Sequence, residues 1–335
     1  MAIPARLEAH EPPEARGLRR DEVSMLVATR HDGELVHGTF AELPRFLAPG
    51  DLLVVNNSAT LPAAVRANLE GRRVELRFST PRPDGHWLVE LRTADGDPFF
   101  NPPIGARLQL PGDAAAELVA PFAGSERLCV ARLRLGGTVE DYLAHFGRPI
   151  RYPHTPKTWP LEAYQTIFAT EPGSAEMPSA GRPFSHELVT ELVARGILLA
   201  PVTLHAGVSS PEHGEPPYPE RYRVPPTTAQ LVNVVHLWGG RVIAVGTTVA
   251  RALETVAEPD GAVSDGEGWT NLVITPERGL KAVDGLLTGW HERETSHVDL
   301  LRAAAGAELL ERSYGAAAEH GYRWHEFGDV HLILP

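Results

Sequence analysis

The stretch RVIAVGTT, residues 241–248, carries the clearest indication of the fold. The unbroken apolar run within it predicts a short strand that is buried on both faces, as in a parallel sheet. Helical patterns flank that strand, at Ala229–Leu237 before it and at Thr248–Val256 after it. A strand set between two helices is typical of an α/β domain, in which helices cover a largely parallel sheet.

The same alternation extends outward along the chain. Apolar runs predict further strands at Asp51–Asn56, Ile197–Leu204, Leu272–Ile274, Leu286–Thr288 and Val330–Leu334. Helices are predicted at His186–Arg195, with Ser185 as the N-cap, and at Val298–Leu310. The proline-rich segment 211–226 is predicted to be a long loop or lid. We therefore expect a mixed, largely parallel, barrel-like α/β domain.

Residues 62–150 have a different pattern, which interrupts this domain. Apolar and polar residues alternate at 73–78 and again at 87–91, and turn-forming Pro, Gly and Asp residues separate the runs. Such alternation between close turns predicts half-buried antiparallel strands, several of which make a small barrel. We expect an inserted antiparallel β-barrel domain at 62–150, within an α/β domain built from 1–61 and 151–335.

Composition excludes several classes of protein. The 335 residues include 31 Lys and Arg against 43 Asp and Glu, and the formal net charge of −12 disfavours non-specific binding to nucleic acid. Cys129 is the single cysteine, which excludes a disulfide framework, a cysteine-based zinc site and an iron–sulfur cluster. No signal peptide and no membrane-spanning apolar run is visible, so we expect a soluble, cytoplasmic protein without membrane contact.

Common cofactor and catalytic signatures are absent from the sequence. It has no glycine-rich dinucleotide fingerprint, no phosphate-binding loop and no serine-hydrolase elbow. Its 15 His residues include none in the His-Glu-x-x-His pattern, and pairs such as His325 and His331 are six residues apart. No metal site is predicted, and a metal held by some of these histidines is the alternative interpretation.

Polar residues follow two of the predicted strands. Gly246, Thr247 and Thr248 lie where a parallel α/β sheet binds its ligands, so their N–H and hydroxyl groups are predicted to bind an anion or a carboxylate. The alternative is that Thr247 or Thr248 is a plain helix N-cap. His205 and Gly207 also follow a strand, and an imidazole there could move protons near pH 7. The alternative is a histidine that is hydrogen-bonded to a neighbouring loop.

Two more candidates lie near strand ends later in the chain. Trp290 follows the predicted strand Leu286–Thr288, and it either walls an apolar pocket or fills the core. Asp329 directly precedes the last predicted strand, and it either takes part in proton transfer or caps a turn.

Five sets of residues carry a family resemblance. They are PGDLLVVNN at Pro49–Asn57, YQTIF at Tyr164–Phe168 with PSAG at Pro178–Gly181, VTLHAG at Val202–Gly207, RVIAVGTT at Arg241–Thr248 and YRWHEFGD at Tyr322–Asp329. In this order they resemble the S-adenosylmethionine:tRNA ribosyltransferase-isomerase family of queuosine synthesis. The likeness spans nearly the whole chain, and it implies an α/β domain that carries an inserted β-barrel.

The resemblance implies an enzyme that consumes S-adenosylmethionine. Such an enzyme transfers the ribosyl group to the aminomethyl group of 7-aminomethyl-7-deazaguanine in a tRNA anticodon, which forms epoxyqueuosine and releases adenine and methionine. S-adenosylmethionine is then a substrate, and no separate cofactor is expected. The sulfonium acidifies the neighbouring 5′ carbon, so a positioned base can start the reaction, and the leaving adenine gains from a proton donor.

The resemblance and the strand-end positions together define the expected site. His205 is the predicted proton-transfer residue; Glu294 and Asp329 are reserve candidates, either of which could orient the imidazole, and His291 is a further one. The predicted substrate-binding residues are Gly207, Gly246, Thr247, Thr248, Arg251 and Trp290. Among these, Arg251 is the expected counter-charge for the methionine carboxylate.

The chain departs from the family pattern at several strand ends. Where the family reads Pro-Thr-Ala-Gly-Leu-His-Phe, residues 178–184 read PSAGRPF, which removes a histidine. Altered residues also stand at 208–212 and 292–295, and Ala59 takes the place of an arginine. Two alternatives stay open. One is a divergent relative that cleaves S-adenosylmethionine or transfers part of it to a small-molecule acceptor. The other is a non-catalytic protein that binds an adenosyl ligand or a protein partner.

Overall fold

The computed structural model describes residues 5–208, 218–290 and 296–335. The strands are β1 (Ser24–Thr29), β2 (Leu35–Thr39), β3 (Leu52–Asn56), β4 (Ser58–Thr60), β5 (Ala64–Leu69), β6 (Arg72–Pro81), β7 (Trp87–Thr93), β8 (Arg107–Leu110), β9 (Ala114–Pro121), β10 (Leu128–Arg134), β11 (Glu171–Ser174), β12 (Leu198–Leu204), β13 (Glu220–Val224), β14 (Val242–Val245), β15 (Gly266–Thr270), β16 (Gly285–Gly289) and β17 (Val330–Leu334). The α-helices are α1 (Val139–Phe146), α2 (His186–Ala194), α3 (Pro226–Leu237), α4 (Thr247–Thr255), α5 (Ser296–Ala305) and α6 (Ala307–Glu319). Over these residues, none of the helices has the length and apolar character that crossing a membrane requires.

Among the described residues, nine strands form one mixed sheet in the order β15-β13-β12-β3-β14-β16-β17-β1-β2. β12, β3, β14 and β16 run parallel to one another, and β17 is antiparallel to β16. The carboxyl ends of the four parallel strands therefore meet the start of β17 along one edge, which we call the carboxyl edge. The predicted mixed α/β architecture is confirmed, and within the described residues its sheet is open, with β15 and β2 outermost.

The inserted antiparallel barrel is also confirmed. β5 to β10 pair antiparallel and close in the order β10-β7-β6-β5-β8-β9. Alternate residues such as Leu76, Val89 and Ala116 point inward and form its core. All six strands lie within the predicted range 62–150, and the exact limits of the two domains stay a prediction.

Helices cover both faces of the large sheet, which explains its unbroken apolar strands. In β3, Leu52 and Val54 pack with residues of α3 to α6, whereas Leu53 and Val55 pack with α2 on the opposite face. A strand that is buried on both sides gains nothing from polar residues at alternate positions. The apolar runs that predicted these strands are thus a direct consequence of the two covered faces.

Local chemistry confirms one helix boundary and corrects another. The Leu188 N–H donates to Ser185 Oγ (3.1 Å), so Ser185 caps α2 as predicted. The single helix predicted at Val298–Leu310 is wrong, because Gly306 adopts a left-handed φ of 78° and separates α5 from α6.

Two segments predicted from local pattern have a different structure. Leu272–Ile274 is not a strand: the Leu272 N–H donates to Thr270 Oγ1 (3.2 Å) and the Leu272 carbonyl accepts from Arg251, so side chains take up both backbone groups. The loop predicted at 211–226 is wrong over Glu220–Val224, which forms β13 between β12 and β15, and at Pro226, which begins α3. Residues 211–217 of the predicted loop lie outside the described residues.

Candidate functional site

Asn56, the last residue of β3, connects β12, β4 and α4 at the carboxyl edge. Its Nδ2 donates to the Leu204 carbonyl (2.8 Å) and lies 3.3 Å from Thr248 Oγ1. Its Oδ1 accepts the N–H groups of Leu204 (3.1 Å) and Ser58 (3.0 Å). Because the amide is 3% exposed and uses both of its ends, it fixes the end of β12, the start of β4 and the first turn of α4 against one another. His205, directly after β12, and Thr248, in the first turn of α4, therefore lie at the same edge, as the sequence predicts.

His205 lies against two serines that the sequence did not single out. Its Nδ1 lies 2.8 Å from Ser58 Oγ, which in turn lies 2.6 Å from Ser174 Oγ. Ser174 Oγ accepts the Ala206 N–H at 3.0 Å. Gly173 makes this arrangement possible, since a Cβ at that position would lie 2.4 Å from His205 Nδ1.

This network assigns a tautomer to His205. Ser58 and Ser174 are fully buried, so each hydroxyl hydrogen needs an acceptor. Both hydroxyl hydrogens have an acceptor when Ser174 donates to Ser58 and Ser58 donates to His205 Nδ1. The reverse direction would leave the Ser174 hydrogen without an acceptor among these groups. The ring hydrogen is therefore assigned to Nε2, so His205 presents an N–H donor to the side of the ring away from Ser58.

His205 is neutral at physiological pH. Burial lowers the pKa of its imidazole to about 4, and the positive charge of Arg221 acts in the same direction. Glu171 opposes this effect, and Arg223 reinforces it. A neutral histidine that donates from Nε2 is suited to hydrogen-bonding a substrate atom on which negative charge develops.

Arg251 is not available as the counter-charge for a ligand carboxylate in this structure, which corrects that prediction. Its guanidinium forms an ion pair with Glu220, and it also donates to the carbonyls of Leu272 (3.1 Å) and Thr270 (3.3 Å). The other carboxylate oxygen of Glu220 accepts the Gly207 N–H at 3.0 Å. Arg251 therefore acts on the loop after His205 through Glu220.

The same loop contacts the inserted barrel. The Val208 N–H donates to Ser79 Oγ of β6 at 3.0 Å, and a Cβ on Gly207 would lie 2.8 Å from that oxygen. Gly207 thus serves close packing between the two parts of the molecule. Its predicted contact with substrate stays a prediction.

Gly246 ends β14 and precedes α4 with a positive φ of 102°. Its own N–H donates to the Leu287 carbonyl (2.8 Å), so among the predicted backbone donors this one is already used. The alternative that Thr247 or Thr248 is the N-cap is wrong, because both residues already lie in the helix and Gly246 occupies the cap position without a side chain. The first turn of α4 faces the carboxyl edge beside Asn56, and ligand binding by Thr247 and Thr248 stays a prediction.

Trp290 lies in an aromatic cluster beneath α5 and α6. Its ring stacks on His331 (4.8 Å between centroids) and packs edge-on against Tyr314 and Tyr322. The side chain is 2% exposed. This packing favours the core interpretation over a wall for a ligand pocket.

Asp329 lies at the carboxyl edge, but on the far side from His205. Its two carboxylate oxygens accept the N–H groups of Ser24 (2.7 Å) and Arg323 (2.6 Å), which favours the turn-capping interpretation. Four strand spacings separate the start of β17 from the end of β12, about 19 Å. Asp329 therefore does not orient the imidazole, and Ser58 does. Burial raises the pKa of the Asp329 carboxyl.

His291 and Glu294, the other two candidate catalytic residues, lie outside the described residues, and their roles stay predictions. Within residues 5–208, 218–290 and 296–335 no group of three His, Cys, Asp or Glu side chains is arranged to hold a metal ion.

The altered segment at 178–184 lies over the sheet beside Gly246. A Cβ on Gly246 would lie 3.4 Å from the Ala180 methyl, so the PSAG turn packs on the end of β14. Arg182, which stands where the family has leucine, turns away from this contact. Its guanidinium donates to Glu14 (2.8 Å) and to the Ala163 carbonyl (2.9 Å), and it lies over the Phe327 ring. The substitution thus ties the N-terminal segment to the loop before β17.

Comparison with known proteins gives a consistent result along the chain. A family model described as "Queuosine biosynthesis protein" matches residues 1–333. The chain belongs to the queuosine biosynthesis protein family. Within this family, the chain is 37% identical to the S-adenosylmethionine:tRNA ribosyltransferase-isomerase of Gloeobacter violaceus, over 100% of this chain and 94% of the relative. It is 36% identical to the enzyme of the same name from Symbiobacterium thermophilum, over 99% and 97%.

A solved structure from this family has the same fold. The crystal structure of S-adenosylmethionine tRNA ribosyltransferase from Thermotoga maritima aligns with a TM-score of 0.55 at 26% identity, covering 100% of this chain and 99% of that one. The family resemblance stated from the five runs of sequence is therefore confirmed.

Proposed function

We propose that this queuosine-family chain is an S-adenosylmethionine:tRNA ribosyltransferase-isomerase. It transfers the ribosyl group of S-adenosylmethionine to 7-aminomethyl-7-deazaguanine in tRNA, which yields epoxyqueuosine and releases adenine and methionine. The names of its relatives support this reaction. The observation that carries the proposal is the placement of His205 at the carboxyl edge, held by Ser58 in one tautomer.

His205 acts on the leaving adenine. When the glycosidic bond breaks, the adenine keeps the bonding electron pair, negative charge develops on its ring nitrogens, and the released base takes up a proton from water. A neutral imidazole that donates from Nε2 stabilises that charge through a hydrogen bond, and a positioned donor of this kind typically contributes about 10²–10³ in rate. The low pKa of His205, about 4, keeps the ring in this form at pH 7.

The methionine end of the substrate is proposed to bind at the start of α4. Backbone N–H groups in the first turn of a helix favour a carboxylate, and the Thr248 hydroxyl adds a polar contact beside Asn56. Arg251 supports this region through Glu220 and the Gly207 loop instead of pairing with the ligand. S-adenosylmethionine is consumed as a substrate, and we propose that no further cofactor is required, because the sulfonium itself activates the 5′ carbon.

The test is release of adenine and methionine from S-adenosylmethionine, measured with and without tRNA that carries 7-aminomethyl-7-deazaguanine. Release that depends on this tRNA supports the proposal. Release without any tRNA would contradict it and would favour cleavage of S-adenosylmethionine or transfer to a small molecule. The absence of release under both conditions, while S-adenosylmethionine binds in calorimetry, would favour a non-catalytic binder. Acting on tRNA would place the protein in the cytoplasm.

A further inference from the structure

Five arginines form a basic surface on the outside of the inserted barrel. They lie on four of its six strands, alternate with inward-facing core residues and are exposed; we call them the arginine belt: Arg66, Arg73, Arg107, Arg132 and Arg134. Neighbouring residues such as Ala67, Val74, Leu108 and Ala131 point into the barrel core. The alternation means that the belt side chains project away from the barrel and do not help to fill it.

The strand register aligns the belt in rows across the barrel. Arg73 pairs with Asn68, which pairs with Gln109, and that row continues through Ala115 to Arg134. The row crosses five strands, or about 19 Å, and everything on it other than Ala115 is polar or positive.

A second row places Glu117 between two further belt arginines. Arg107 and Arg132 both pair with this residue in register. Arg132 forms an ion pair with it at 3.1 Å, and the arginine side chain remains 55% exposed. A single carboxylate therefore offsets only part of the positive charge of the two rows.

The belt is unusual in so acidic a chain. Residues 62–150 contain as many arginines as acidic residues, so the net charge of −12 resides entirely in the rest of the protein. A concentration of exposed arginines on the outside of one domain is the electrostatic footprint of a surface that binds phosphates. The rest of the molecule is acidic and would repel a polyanion, which favours contact of the polyanion with the barrel.

The barrel also connects the belt to the site. β6 runs from Arg72 to Pro81, and Ser79 contacts the Gly207–Val208 backbone directly after the His205 loop. Arg73 lies six residues before Ser79 on this strand, about 20 Å away. A polynucleotide whose reacting base lies at the carboxyl edge can thus place the phosphates of its adjoining stem along the belt.

We propose that the arginine belt docks the phosphate backbone of the tRNA stem next to the reacting base. This inference rests on the proposed function, which supplies the tRNA. Contacts to phosphate carry no sequence information, so the belt orients the stem while the site at the carboxyl edge selects the base.

The test is binding of tRNA and of the isolated anticodon stem-loop, followed by fluorescence anisotropy over a series of salt concentrations. The double variant Arg73→Gln/Arg134→Gln removes both ends of the first row. We expect affinity for both RNAs to fall roughly ten-fold and the slope of log K against log salt to fall by about 1.5, since two phosphate contacts are lost. Arg195→Gln, an exposed site at the end of α2, is the matched control and should leave both quantities unchanged.

Two further readouts separate this inference from the proposed function. In the adenine assay, the double variant should show a raised KM for tRNA with kcat near that of the parent, and calorimetry should give unchanged affinity for S-adenosylmethionine. Unchanged RNA affinity and salt slope in the double variant would overturn the proposal that the belt binds tRNA. A parent protein that binds neither RNA would also overturn it. If the parent binds tRNA through the belt but releases no adenine, the docking proposal is supported and the proposed function is contradicted.

Discussion

Among single residues, the hydroxyl of Ser58 determines which tautomer His205 adopts. Ser58→Ala removes the donor to Nδ1, so the ring is free to adopt either tautomer. We expect kcat for adenine release to fall roughly ten-fold with little change in the KM for S-adenosylmethionine, which corresponds to the loss of one oriented hydrogen bond. Nitrogen NMR of the ring should show the Nε2–H tautomer in the parent and a mixture in the variant.

Ser58→Thr is the matched control, because it keeps the hydroxyl at the same position. It should retain the parent tautomer and most of the activity. A Ser58→Ala protein whose ring nitrogens give the same spectrum as the parent would show that Ser58 does not set the tautomer, whatever its activity.

Variants of Arg251 test whether this residue supports the site through Glu220 or binds the ligand. The structure pairs it with Glu220 in a buried site, where loss of one partner leaves an uncompensated charge. Arg251→Gln and Glu220→Gln should each lower the free energy of unfolding by about 3 kcal/mol, and the double variant should lose clearly less than the sum. Urea denaturation measures all three. A stable Arg251→Gln protein that only binds S-adenosylmethionine more weakly would restore Arg251 as the ligand's counter-charge.

At the scale of elements, the approach of β11 to the loop after β12 shapes the site. Gly173→Ala would place a methyl group 2.4 Å from His205 Nδ1, so the ring or β11 must move. We expect a fall in kcat of at least ten-fold with far-ultraviolet circular dichroism unchanged, since a misplaced donor loses most of its effect.

Gly137→Ala, at an open position before α1, is the control for the general cost of replacing a glycine. It should behave like the parent. Parent-like turnover in Gly173→Ala would mean that the fit of the ring against β11 has no bearing on catalysis.

The elements that the sequence predicts correctly are those whose burial imposes a pattern. β3, β12, β14 and the barrel strands are buried on one or both faces, so their apolar periodicity is visible in the sequence. The sequence does not indicate β13, because the strand follows a proline-rich segment and three of its five residues are charged. The break at Gly306 was missed because both flanking helices continue the same apolar pattern.

The sequence indicates those residues of the site that come soon after a buried strand, and it does not indicate their partners. A residue directly after a buried strand is easy to locate, so His205, Gly246 and Thr248 were found together at the carboxyl edge. Their partners Ser58, Ser174 and Glu220 come from segments far apart in sequence, and no spacing rule connects them to His205. Asp329 was placed at the correct edge, but only the strand order shows that it lies too far from His205 to orient it.

At the scale of the whole molecule, buried histidines should make stability depend on pH. Burial lowers the pKa of His331 to about 3, and in the described structure neither of its ring nitrogens has a hydrogen-bond partner. Burial also lowers the pKa of His205 and of His325 to about 4. In the unfolded chain these rings take up protons near pH 6.5, so between about pH 6.5 and 4 the unfolded state binds more protons. Stability should therefore be full above pH 6.5 and fall as the pH is lowered toward 4.

His331→Phe isolates one of these contributions, because an apolar ring can keep the stacking on Trp290. At pH 7 the variant should be about as stable as the parent, since it removes an unsatisfied polar group. At pH 4.5 it should be more stable than the parent by roughly 2–3 kcal/mol. Thermal unfolding at both pH values measures the difference, and parallel pH dependence of the two proteins would contradict the prediction.

A labelled substrate shows directly where the ribosyl group goes. S-adenosylmethionine with ¹³C in its ribose carbons is incubated with the protein and with tRNA that carries 7-aminomethyl-7-deazaguanine, and the nucleosides of the digested tRNA are analysed by mass spectrometry. We expect the labelled carbons to appear in a tRNA nucleoside, in amounts equal to the adenine released, and we expect His205→Ala to lower both by at least 10²-fold. Adenine release with all of the label left in small molecules would contradict it.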